Sequence, residues 1–99
     1  MSDEKSLKEI DVSGKYYYYA QVEFYLNSGQ LALALYQASR NIAYNEEDPV
    51  AYINRARVYE KLGNLEEAIL DLKEALRIAP DNEEAYSYLE KISRGTSKD

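Results

Sequence analysis

Ninety-nine residues, 45% apolar and 30% charged, fit one small globular domain. A net charge of −6 with no basic stripe argues against a grip on nucleic-acid phosphates or anionic lipid. No apolar run is long enough to insert into a membrane, and the chain has neither cysteine nor histidine, which removes disulfides, thiol chemistry and structural zinc ligation.

Residues 1–14, MSDEKSLKEIDVSG, are charged and end in Ser13-Gly14. They are too polar for a signal peptide, and with the missing cysteines this fits a cytoplasmic location. A frayed tail is expected here, with one helical turn at SLKEI, or a fold of the tail over the next helix, as alternatives.

From Lys15 the chain reads KYYYYAQVEFYLNSG and then QLALALYQASRNIAYNEED, two helical patterns over 15–27 and 30–44 separated by Gly29. Eleven tyrosines stand against one phenylalanine and no tryptophan, and four of them run from Tyr16 to Tyr19. Successive helical residues lie about 100° apart, so this run covers most of the helix circumference and cannot all be buried. Ala32, Leu33 and Tyr36 give the second helix an apolar outer face. Together with Tyr17 they form a candidate outer interface, since exposed apolar patches mark contact sites and tyrosine tolerates water.

Residues 49–62 and 65–79 form a second pair of patterns. Tyr52, Ala56 and Tyr59 recur on one helical face, and Leu65, Ala68, Ile69, Leu72, Ala75, Leu76 and Ala79 recur on another. Gly63 suits the left-handed conformation that ends a helix, and Asn64 is expected to cap the next one. Glu66 and Glu67 at the start and Arg77 near the end suit the helix dipole. The last pattern, 82–94, starts from a cap at Asp81 or Asn82, carries Glu83 and Glu84 in its first turn, has Ala85, Tyr86, Leu89 and Ile92 as its apolar stripe, and is expected to end at Gly95. Residues 95–99 read as a frayed tail.

The stretch 49–82 resembles a tetratricopeptide repeat, a 34-residue helix–turn–helix unit that stacks on copies of itself. Tyr52, Ala56, Tyr59, Gly63, Ala68, Leu72, Ala75 and Pro80 fall on that family's pattern, and Arg55 departs from its usual leucine. Residues 15–48 have the same length, with Tyr18, Val22, Tyr25, Gly29, Ala34 and Ala38 in register. They form a degenerate copy in which Gln21, Asn41 and Glu46 depart. The resemblance implies an all-α fold: a short right-handed superhelix of two hairpins, 15–48 and 49–82, closed by a capping helix over 82–94.

It also implies a concave face lined by the first helix of each repeat. That face would present Tyr16, Tyr19, Ala20 and Glu23, then Val50, Ile53, Asn54, Arg57 and Lys61, then Glu84, Ser87, Tyr88 and Lys91. Asn54 stands where some members hold a peptide backbone or terminal carboxylate, but the basic residues and second asparagine of such a clamp are missing. Pairing of Asn54 and Arg57 with Glu60, Glu84 or Glu23 on a solvated face is the competing reading. No serine has a base beside it, no glycine loop cradles phosphate, and the acidic pairs sit at helix starts, so no catalytic residue, metal or cofactor is expected. The resemblance points to a non-catalytic adaptor that binds a peptide or a partner helix, with homodimerisation or assembly through the outer face of the first repeat as the alternative.

Overall fold

A computed structural model describes residues 14–96. Five helices follow one another: α1 Lys15–Asn27, α2 Leu31–Tyr44, α3 Pro49–Leu62, α4 Leu65–Ile78 and α5 Glu83–Thr96. Each packs on its neighbours in the chain, α1 also touches α3, and Ala85 and Ile92 of α5 pack with Ile53 of α3, so α1, α3 and α5 line one side while α2 and α4 line the other. The tail expected over residues 1–13, and the last residues 97–99, lie outside the described residues.

Two tight turns set the register. Gly29 and Gly63 adopt φ of 75° and 83°, a left-handed conformation that costs a side-chain-bearing residue about 1 kcal/mol. At each, the next two amides fold back onto the preceding helix: Gly29 N to Leu26 O and Gln30 N to Tyr25 O, then Gly63 N to Glu60 O and Asn64 N to Tyr59 O. Asn64 makes no side-chain cap bond, against expectation; its side chain is exposed. Asn82 does cap, its Oδ1 accepting from Ala85 N at 2.9 Å. The helix it opens runs through Gly95 to Thr96, beyond the end expected there, since Gly95 stays right-handed.

The core follows from small residues meeting large ones. Ile53, Ala56, Ala68, Leu72, Ala75, Ala85 and Ile92 form one cluster, and Val22, Ala34, Ala38 and Val58 the other. Alanines let the helices approach closely enough to enclose Ile53, Leu72, Val22 and Val58, and each such aliphatic side chain contributes about 2 kcal/mol on burial. The middle helix α3 lies between both hairpins, which explains why its expected stripe of Tyr52, Ala56 and Tyr59 understates its buried surface: Ala51, Ile53, Asn54 and Val58 are buried too.

The two departures at the leucine slot prove to be cross-links. Arg55 donates from Nε and Nη2 to the two carboxylate oxygens of Asp71 at 2.8 and 3.0 Å, and from Nη1 to Ser39 Oγ at 3.3 Å. Its guanidinium lies 5.6 Å from the Tyr59 ring centre. At the equivalent slot one repeat earlier, Gln37 Nε2 donates to Gln21 Oε1 at 3.4 Å.

Candidate functional site

The side built from α1, α3 and α5 carries a row of polar side chains that join helix to helix. At the α1 end, the Tyr19 hydroxyl donates to Asp48 Oδ2 at 2.6 Å. Asp48 is buried, and its Oδ1 accepts from Val50 N at 3.1 Å, which caps α3 just ahead of Pro49. One turn further along, Arg57 Nη2 lies 3.0 Å from Glu23 Oε1 and its Nη1 donates to Asn54 Oδ1 at 3.3 Å. On the α5 side the Tyr88 hydroxyl donates to Glu60 Oε1. Burial, then the bond to a carboxylate that cannot share its charge, pushes the phenols of Tyr19 and Tyr88 well above their ordinary value. Arg57 acts in the opposite direction on Tyr88, which places its charge within reach of α5 as well as α1.

The expected groove residues divide under this geometry. Tyr16 is 72% exposed and stands edge-on to Tyr19, ring centres 5.5 Å apart. Glu23, Lys61 and Lys91 are exposed, and Tyr19, Arg57 and Tyr88 are half-buried. Ala20, Glu84 and Ser87 are exposed as well, and Val50 is half-buried. Ile53 is the correction: at 1% exposure it belongs to the core with Ala85 and Ile92 and offers no surface to a ligand. It occupies the slot of Tyr19 one repeat on, but α5 has closed over it. Asn54 is buried at 9% and serves Arg57 rather than facing outward. Of the pairings weighed for Arg57, Glu23 is the one formed, while Glu60 goes to Tyr88 and Glu84 stays exposed.

Asp48 and Glu60, which hold the two tyrosines, were not among the expected site residues. The Asp48-Pro49 pair is a helix-start pattern that could have flagged Asp48. Its partner Tyr19, 29 residues away, could not be read from spacing. The expected outer face also divides. Leu33, Tyr36 and Ala32 are exposed on α2, Tyr36 with Arg40 lying 5.6 Å over its ring. Tyr17 is half-buried on α1, with its ring against Tyr18.

At the α4–α5 turn, Pro80, Asp81, Asn82, Glu83, Tyr86 and Ser87 line an open cleft of about 390 Å³. Among the described residues no group of side chains could hold a metal ion, and no helix is long and apolar enough to cross a membrane.

The family model for the tetratricopeptide repeat matches residues 49–82, the α3–α4 hairpin and the turn after it. No curated protein matches the chain.

Proposed function

We propose that this chain, which carries a tetratricopeptide repeat, is a non-catalytic adaptor of the cytoplasm that binds a peptide or helix of another protein along the α1–α3–α5 side. Repeats of this kind suggest protein–protein interaction or a scaffold role; the choice of face is our own. What supports it is the polar row: Tyr19–Asp48, Glu23–Arg57 and Glu60–Tyr88 tie three helices together, so the side chains around them are held before a partner arrives. Docking then costs little ordering on this side. Tyr16 and the ring of Tyr88 supply apolar contact, and Lys61 and Lys91 remain exposed to meet acidic side chains.

The test is selection from a random peptide library, followed by titration of the selected peptides against Lys61→Glu/Lys91→Glu. Acidic peptides should emerge and lose about tenfold or more in affinity to the variant at unchanged helicity. Peptides that bind both forms alike would remove the groove from consideration.

A second reading, assembly through the first repeat, is favoured by one contrast. Leu33 is 44% exposed on α2, where the second repeat carries Glu67.

A further inference from the structure

The two ends of the helix stack are finished differently. Along a 34-residue period, Tyr17, Ala51 and Ala85 occupy one slot and Phe24, Val58 and Ile92 another. In the second and third positions these slots are closed: Ala51 and Ala85 are fully buried, Val58 is 0% exposed and Ile92 5%, each covered by the hairpin before it. In the first position nothing described precedes α1, and Phe24 is 60% exposed. Tyr17, Ala20, Gln21 and Phe24 follow the spacing of one helical face, a stripe about two turns long, with Ala20 and Phe24 exposed and Tyr17 and Gln21 half-buried. At the other end the slot of Val22 and Ala56, both fully buried, holds the exposed Glu90, and no further helix could pack there without burying a carboxylate.

We infer that a second copy of this chain docks on the α1 edge, α1 antiparallel to α1, to form a two-fold dimer. The inference rests on the reading that the first repeat carries an assembly surface, but it moves that surface from α2 to α1. Three observations choose this occupant. First, the sequence of residues 1–13 does not continue the repeat's pattern. Continuing the period toward the N-terminus puts Glu4 in the slot of Ala38 and Leu72, both 0% exposed, where a carboxylate would be carried into the contact. Second, the edge is nearly free of charge: between residues 15 and 44 the only charged side chains are Lys15, Glu23 and Arg40, in a chain of net charge −6. Two copies meeting there bring no block of like charge together, whereas α5 would present Glu83 and Glu90, which disfavours head-to-tail stacking. Third, the stripe is self-complementary. Antiparallel pairing about Ala20 and Gln21 sets Tyr17 of each copy against Phe24 of the other, with the small Ala20 at the axis allowing close approach.

One helix against one helix lies at the low end of interface sizes, so the dimer is expected to dissociate in the micromolar range, on the order of 1–100 μM. Sedimentation equilibrium of the full chain over a concentration series tests it. The wild type should show a monomer–dimer equilibrium, and Phe24→Glu should weaken it about tenfold or more, with helicity unchanged because the side chain is exposed. Tyr36→Glu on α2 should leave it as it was. A second measurement uses the absence of native cysteine: Ala20→Cys should cross-link between copies on mild oxidation, and Ala32→Cys should not. A chain monomeric at all concentrations overturns the dimer. Dissociation by Tyr36→Glu but not by Phe24→Glu overturns the α1 edge and returns the assembly surface to α2.

Discussion

The two hairpins solve the same packing problem with different chemistry. Their turns both take a left-handed glycine, φ 75° at Gly29 and 83° at Gly63, and Val22, Ala34 and Ala38 are buried as Ala56, Ala68 and Leu72 are. They part at two slots between the packed helices. Where α3 and α4 are joined by the Arg55–Asp71 ion pair, α1 and α2 are joined by a neutral amide bond between Gln21 and Gln37. Where α4 buries Ala75, α2 buries Asn41, whose Nδ2 and Oδ1 find no partner among the described residues. Arg55 lies between both hairpins and reaches Ser39 on α2, so its charge is shared across the repeat boundary. Among the described residues Gln21 is bonded by Gln37 and has no such third partner. Inside the stack the charge of Arg55 is bonded from two directions, by Asp71 and by Ser39.

The largest expected effect separates the two cross-links. Asp71 is 5% exposed, and Asp71→Ala leaves the half-buried Arg55 without its carboxylate, a loss of about 3 kcal/mol in urea unfolding. Gln37→Ala in the matching slot should cost under about 1 kcal/mol. Equal losses would break the comparison. Next, Asn41→Ala should stabilise the first hairpin by about 1 kcal/mol, since it removes an unpaired buried amide and reproduces Ala75. A loss instead would show that the amide is bonded in solution.

The turns should respond alike: Gly29→Ala and Gly63→Ala meet no neighbouring atom, so each pays only for its left-handed backbone, about 1 kcal/mol in thermal or urea unfolding. The smallest effect is alkaline. The phenols of Tyr19 and Tyr88 are raised in the folded protein, so the folded state keeps protons that the unfolded chain loses above about pH 10. Their contribution is complete below that pH and falls away as the pH climbs through the raised values. Absorbance at 295 nm should show a late phase of tyrosine ionisation that shrinks in Tyr19→Phe and in Tyr88→Phe.

The helices, their order and the two turns were legible from the chain because they rest on local rules. Gly29 and Gly63 must adopt positive φ where the pattern breaks, and the alanines and leucines of α4 repeat at helical spacing. The candidate face was legible only as a column of positions, and Ile53 shows the limit. It shares the slot of Tyr19, yet a slot is exposed or closed according to what lies on it, and α5 lies on Ile53. The tertiary structure decided which polar groups meet. Tyr19 with Asp48, Arg57 with Glu23 and Tyr88 with Glu60 join residues on different helices, 28 to 34 positions apart for the groups concerned. A helical period relates residues along one element, but it carries no information about which rotamers face each other across two. The sequence by itself therefore determined the repeat, and packing between the repeats determined the surface.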